Sequence, residues 1–492
     1  MKYKQINNLK ENINLGIILF TLSIILFLIC ISKINLGLNV DEAFSLMITN
    51  TNFLETINLT AQDVHPPLYY LILKISLILF NNLKIDPIII GQYLSMIPIL
   101  FLLIVDYLKV KKEFGWLTCG IFALCITSMP NFMYYTLTIR MYSFAMFFVT
   151  MVFLISYDLI KNNTYKNWIL LTVFTIASFY THYYAAIGCL IIYLLLLVYF
   201  IFNNKKQIKY LIISGVVSIL AYIPWIYIIF TQINKYQGNY WIPPKYLEQL
   251  TETFWYVFSS YTRSSMIIGI LLTISIFILI YMFIKNKNKN NKDYYAITGL
   301  SIIILTILFG MLISISIMPL YNQRYVFPVL GIFWLGFSIL LAKNHENKKI
   351  FAFCMIILLC ASGINTLYYV NSSDIGNRNM MILEDIHFED GDIIIHDNKH
   401  TKLTYERWYC PQCTHYDYTE STMNYTQIID DASKNNHSVW IFYRDSGDTR
   451  LRGSDGTILN NFSKNYQLNQ IAQLEADPFN NIPTGIYKLK LL

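Results

Sequence analysis

Hydrophobic positions in this chain fall in long unbroken runs, not in the three- to four-residue rhythm of amphipathic helices or the two-residue rhythm of half-buried strands. The runs cover 16–36, 88–108, 116–136, 141–160, 168–182, 184–202, 210–230, 264–284, 294–318, 324–342 and 349–370. A hydrocarbon core needs roughly 20 apolar residues of helix to cross it, so the pattern predicts eleven transmembrane helices. One more run, 66–80, has 15 residues and contains Lys74. Its length favours a re-entrant or interfacial helix that does not cross. From about residue 371 the long runs stop. Short β-type stretches at 392–396, 438–443 and 485–489 alternate there with Gly, Asp and Asn turns, which predicts a small α/β domain. The expected fold class is an all-α polytopic membrane protein with a small C-terminal α/β domain. Its domains are 1–370, with 37–87 as the first external loop, and 371–492.

Composition narrows the class further. Of 492 residues 55% are hydrophobic and only 14% charged, with mean hydropathy +0.44 and a formal charge of +7. Soluble domains carry about 25% charged residues, so a soluble enzyme, a disordered chain and a DNA-binding module are excluded. The +7 is not a nucleic-acid footprint, because the basic residues sort by side. With the N-terminus cytoplasmic and 66–80 not crossing, eighteen Lys fall in the inside segments, while eight Lys and Arg fall in the outside segments before residue 371. Letting 66–80 cross would reverse that bias, so the positive-inside rule selects eleven spans. The expected localisation is the cell membrane, with the 371–492 domain (11 basic, 17 acidic residues) extracytoplasmic. The first run has no small-residue cleavage site after it and reads as a signal anchor.

Acidic residues beside a bilayer need a reason to be there. The loop after the first span contains Asp41-Glu42-Ala43-Phe44-Ser45 and then Asp63-Val64-His65-Pro66-Pro67-Leu68-Tyr69-Tyr70. Asp41 has a bland reading as the cap of an interfacial helix starting near Glu42. Arg140 and Tyr142, His182 and Tyr183, and Arg324 and Tyr325 each sit at the outer end of a span. Snorkelling and aromatic belts explain each of them separately. Together, two carboxylates, two histidines and two arginines at one membrane depth suit an anionic lipid-linked substrate.

Asp41-Glu42, Asp63-x-His65-Pro66-Pro67-Leu68-Tyr69-Tyr70, Arg140-x-Tyr142, His182-Tyr183 and Arg324-Tyr325 resemble the GT-C membrane glycosyltransferases. More narrowly, they resemble the group of the protein O-mannosyltransferases and the lipid A aminoarabinose transferase, in its bacterial and archaeal branch. The resemblance implies inverting transfer of a sugar from a polyprenyl-phosphate donor to a hydroxyl of a protein, lipid or glycan acceptor at the bilayer. It implies Asp41 as general base, with Glu42 and Asp63 orienting His65 or the acceptor. His65, Arg140 and Arg324 would bind the donor phosphate, and Tyr69, Tyr142, His182, Tyr183 and Tyr325 the rest of the substrate. A divalent metal ion held by the carboxylates with His65 and His182 is left open. The C-terminal region lacks the β-trefoil repeat of the eukaryotic members, so the acceptor is not inherited.

Three rivals are a flippase or transporter of lipid-linked sugars, a polymerase or ligase of surface glycan, and a non-catalytic scaffold of the same fold. A transporter predicts midplane ionisable residues and inverted repeats. Asp106, near a span end, is the nearest approach to the first, and no repeat is visible. In the outer domain, Cys410-Pro-Gln-Cys413 follows Trp408 and precedes His415. A local disulfide or free thiols fits this better than zinc, which would need His396 and His400. Asn424, Asn436 and Asn461 head Asn-x-Ser/Thr triplets of the kind an Asn-rich chain produces by chance.

Overall fold

The computed structural model describes all residues except 1, 35–36, 238–241, 288, 407–408, 420–422, 445–456, 476–482 and 492, and gives backbone alone for 2–11, 399–400, 404, 457 and 491. The chain divides into two compact units, Met1–Ser32 with Ile48–Tyr368, and Lys33–Met47 with Tyr369–Leu492.

The first unit is helical. Its helices are α1 (Lys2–Ile31), the end of α2 (Val40–Thr49), α3 (Phe53–Gln62), α4 (Leu68–Phe80), α5 (Pro87–Val105), α6 (Lys111–Phe114), α7 (Trp116–Ser128), α8 (Phe132–Leu137), α9 (Tyr142–Lys161), α10 (Tyr165–Phe179), α11 (Tyr183–Asn203), α12 (Ile208–Tyr236), α13 (Tyr246–Phe258), α14 (Arg263–Lys285), α15 (Asn291–Ser316), α16 (Phe327–Lys343) and the first part of α17 (Lys348–Asp385). Polar caps set several starts. Asp86 accepts from Ile88 N–H with Pro87 as first helical residue, Thr164 accepts from Asn167 N–H, and Asn290 and Asp293 form a capping box for α15. α16 is buried along nearly its whole length, whereas α12 leaves most of its apolar surface exposed. That is the distribution expected when lipid, not protein, covers the outer helices. α1 lies against α7 through Gly16 and Gly120, where a Cβ on either residue would run into the other helix's backbone.

Nine helices among the described residues are long and apolar enough to cross a membrane. The other two expected spans differ from the sequence reading. The run 116–136 is broken: α7 ends after 13 residues, Met129 is extended before Pro130, Asn131 adopts a left-handed φ of 66°, and α8 follows. Proline disfavours helical conformation in the residue before it, which accounts for the break. α10 has 15 residues. Both segments still join opposite ends of this unit. Phe114 stacks on Tyr295 at one end and Tyr135 packs on Tyr142 at the other. The 66–80 run forms α4, of 13 residues.

The second unit is α/β. Its strands are β1 (Ile393–His396), β2 (Thr414–Asp417), β3 (Val439–Arg444), β4 (Tyr466–Leu474) and β5 (Thr484–Leu491), in the order β2-β1-β3-β5-β4. β1 pairs parallel with both β2 and β3, and β5 pairs antiparallel with β3 and β4. Its helices are α18 (Lys399–Tyr405), α19 (Tyr425–Lys434) and α20 (Thr457–Phe462), with residues 369–385 of α17. Ile393, Ile395, Ile441 and Tyr443 pack on one face of the sheet against Ile429 and Phe462. Ile394, Trp440 and Phe442 pack on the other face against Leu383 and Cys410.

Candidate active site

Within the first unit, the segments preceding α4, α9, α11 and α16 bring most of the singled-out residues together. The N–H of Leu68 donates to the carbonyl of Tyr180 at 2.9 Å, which fixes the start of α4 against the end of α10. His65 thereby meets His182, with ring centroids 6.2 Å apart. His182 also packs against Tyr142 at 5.6 Å and Tyr325 at 5.4 Å.

Hydrogen bonds set the chemistry of each group. Asp63 Oδ2 lies 2.9 Å from His65 Nδ1. Burial pushes the Asp63 carboxyl up, but the charge and hydrogen bond of His65 and the charge of Arg140 outweigh it and hold the group below its ordinary value. Arg140 is 2% exposed and its Nη1 donates to the Tyr70 hydroxyl at 3.0 Å. His182 caps α11: its Nδ1 accepts the Tyr184 N–H at 3.1 Å, so Nε2 carries the hydrogen. Burial first, then the charges of His65, Arg324 and Arg140, holds its pKa well below the usual value, and the ring is neutral. The Nε2–H of His182 and the hydroxyl of Tyr142 are buried with no hydrogen-bond partner among the described residues. A buried donor left unpaired costs about 1–3 kcal/mol, which points to a ligand that accepts from it.

His65 and His182 of this cluster line an apolar cavity of about 290 Å³ together with Tyr183, Tyr325, Tyr222 of α12 and Ile313 of α15. α12 is tied across the cavity: Gln232 accepts from Tyr183 at 2.6 Å and donates to the Ala61 carbonyl at 3.0 Å. Among the sequence-derived candidates, Tyr69 is placed elsewhere, fully buried with its hydroxyl 2.8 Å from Ser95 Oγ. Sequence reasoning passed over Tyr70 and Gln232 as site residues. The Tyr69-Tyr70 pair carried a usable signal, since adjacent helical residues face different sides and one of them had to turn toward Arg140.

Asp41 and Glu42 belong to the second unit. Asn39 Oδ1 accepts the Glu42 N–H at 3.0 Å, and Glu42 Oε2 accepts the Asn39 N–H at 3.0 Å. This reciprocal pair is a capping box. The cap of α2 is therefore Asn39, not Asp41 as the bland reading had it, and Asp41 sits in the first turn. Among the described residues no group of three or more His, Cys, Asp or Glu side chains is arranged to hold a metal ion. Cys410 and Cys413 are free thiols, while Trp408 and the His400 side chain lie outside the described residues.

A family model described as dolichyl-phosphate-mannose-protein mannosyltransferase matches residues 64–228, a stretch holding His65, Arg140 and His182. No curated protein sequence matches the chain. Among solved structures, ArnT from Cupriavidus metallidurans bound to undecaprenyl phosphate superposes with a TM-score of 0.54 at 11% identity, covering 96% of this chain and 97% of ArnT. The oligosaccharyltransferase AglB from Archaeoglobus fulgidus, in complex with an inhibitory peptide and a dolichol-phosphate, matches at 11% identity with a TM-score of 0.46, covering 92% and 72%. The fold defines the class: a polytopic membrane protein built on the GT-C architecture with a small α/β unit. Within that class the chain resembles the protein O-mannosyltransferase and ArnT group.

Proposed function

We propose that the chain is a membrane glycosyltransferase that moves a sugar, with inversion, from a polyprenyl-phosphate donor to a hydroxyl acceptor on the outer face of the cell membrane. The single observation that carries this reading is that His65, His182 and Tyr325 line one end of an apolar cavity, with the buried His182 N–H donor left open and the charge of Arg140 close behind it. Such a site fits an amphiphile with an anionic head and an apolar tail. The phosphate leaves as a stabilised anion, so cations and N–H donors assist departure more than a strong acid would. Arg140, Arg324 and His65 supply charge, and His182 Nε2–H supplies a neutral donor. Asp41 takes the proton of the attacking hydroxyl. Glu42 fixes the turn that carries Asp41, and Asp63 fixes the orientation of His65. Tyr142, Tyr183 and Tyr325 line the sugar and its linkage.

The N-terminus is cytoplasmic and the second unit extracytoplasmic in this reading, on the positive-inside bias of the loops. The test is reconstitution in nanodiscs with an undecaprenyl-phosphate sugar of known anomeric configuration and a membrane extract as acceptor. Transfer with inverted configuration and release of undecaprenyl phosphate is the expected result. Movement of intact lipid-linked sugar between leaflets without cleavage would establish the flippase reading instead.

A further inference from the structure

The second unit carries a site of its own at the carboxyl ends of its parallel strands. β1 is followed by β2 on one side and by β3 on the other, so the strand order reverses beside β1. In open α/β sheets ligands bind outside the strand ends at such a switch point. The residues there are His396 and Asp397 at the end of β1 and Arg444 at the end of β3. A cleft of about 50 Å³ opens next to them, with Thr401, Tyr405, Tyr409, Arg444, Asn379 and Glu475 in its walls. This is room for three or four waters, about one edge of a sugar ring.

The buried groups behind those walls have acceptor capacity to spare. His415 Nε2 donates to the Cys410 carbonyl at 2.9 Å, so His415 Nδ1 must accept, at 2.8 Å, from His396 Nε2–H. His396 Nδ1 is left as a lone pair, buried, with no partner among the described residues. Burial holds both imidazoles below their ordinary pKa, which keeps this tautomer chain neutral. The His396 ring stacks on Tyr405, a wall of the cleft, with centroids 6.1 Å apart and planes 8° apart. Asp397 Oδ2 accepts the backbone N–H of Arg444, another wall residue, at 2.9 Å, and the Thr401 hydroxyl and the Asn398 N–H also lie against its carboxyl.

The geometry points to a saccharide-binding subsite in this cleft, taking a neutral pyranose of the acceptor by hydrogen bonds to Arg444, Thr401 and Asn379 and by ring contact with Tyr405 or Tyr409. Hydroxyl groups both donate and accept, which matches a wall of guanidinium, hydroxyl and amide with the open His396 lone pair behind it. The carboxylates of Asp397 and Glu475 disfavour an anion there. Aromatic faces suit the apolar faces of a sugar ring, and the whole pattern is that of a small-ligand pocket with few, placed polar groups. Gly37 and Leu38 also wall the cleft, with Leu38 N–H bonded to the Tyr409 hydroxyl at 2.6 Å. Asp41 follows Leu38 by three residues in the same unit. The assignment of the sugar to the acceptor rests on the transfer reading above, whereas the existence of the subsite does not.

The test is saturation-transfer NMR on the full chain in lipid nanodiscs, with the methyl glycosides of glucose, galactose, mannose and N-acetylglucosamine as probes. Transfer to the ring protons of at least one probe is expected, weakened at least tenfold in both Arg444→Gln and Thr401→Val and unchanged in Lys161→Ala, with thermal melting as the fold control. The two substitutions lie on different elements, so a folding defect in one leaves the other as the test. No transfer to any probe, equal transfer in Thr401→Val, or displacement of the signal by equimolar inorganic phosphate would overturn the assignment. Sugar binding that persists in a chain without glycosyl transfer would remove the transfer reading and leave the subsite standing. Transfer activity with no sugar binding would do the opposite.

Discussion

The two ends of the helical unit are built from similar side chains and satisfy them differently. At one end Lys109 pairs with Asp158, Lys161 with Glu113 and Lys343 with Asp293, and Lys292 reaches the Glu113 carbonyl. Every charge named there finds an opposite charge or a carbonyl within the chain, and most of these side chains reach solvent. At the other end His65, Arg140 and His182 are almost completely buried. Asp63 answers His65, yet the His182 Nε2–H and the Tyr142 hydroxyl have no answering group among the described residues. Exposed ion pairs contribute about 0–1 kcal/mol, whereas buried donors without partners carry a standing penalty. Asp106, in the same turn as Lys109, is also buried with both carboxyl oxygens unpartnered among the described residues, so the contrast lies in the N–H and O–H donors, which are open at the end where the proposed anionic head would accept from them.

Four perturbations bear on that contrast, from large effect to small. Asp41→Asn keeps the shape but removes the base, so transfer should fall by about 10²–10⁴-fold, the usual contribution of a positioned base. Undecaprenyl-phosphate binding should survive, as measured by turnover and by ligand binding on the same preparation. Arg324→Ala should raise the apparent donor KM by about ten- to a hundredfold, the scale of a charge-assisted hydrogen bond at about 1.5–3 kcal/mol. An unchanged KM would take the arginine away from the phosphate.

His65→Ala acts through Asp63, whose folded pKa is lowered below its ordinary value. In the wild type that contribution to stability is present above the ordinary carboxylate value and is lost as pH falls through the lower folded one. Removing His65 leaves burial as the dominant cause, and the carboxyl rises instead. The variant should therefore gain stability relative to the wild type on going from pH 7 to about pH 4.5. Thermal melts at the two pH values decide it. At the closed end, Lys161→Ala should change donor KM less than about twofold and stability by about 1 kcal/mol at most. A larger kinetic effect there would break the contrast between the ends.

The crossing helices were legible because each is a long apolar run whose few charges, such as Asp106 and Asp158, fall near its ends, and lipid imposes that requirement on sequence directly. The clustering of His65, Arg140, His182 and Arg324 was legible only as a shared depth. The meeting of His65 with His182 goes with the Leu68 to Tyr180 hydrogen bond, which no side-chain pattern encodes. The break at Pro130 was visible as a proline but hidden inside an apolar stretch. β1, β3 and β5 showed as apolar β-type runs, whereas β2 and β4 did not. β2 is the polar tetrapeptide Thr414–Asp417, and β4 is an edge strand exposed over much of its length. The grouping of Lys33–Met47 with Tyr369–Leu492 joins segments more than 300 residues apart, a long-range contact that local hydrophobicity cannot signal.

The most direct measurement is equilibrium binding of undecaprenyl phosphate to the full chain in nanodiscs, compared among the wild type, His182→Phe and Lys161→Ala. Removing the open Nε2–H should weaken binding severalfold, about 1 kcal/mol, while Lys161→Ala binds as the wild type does. Equal affinity in all three chains, or a loss confined to Lys161→Ala, would contradict a lipid phosphate at the open end.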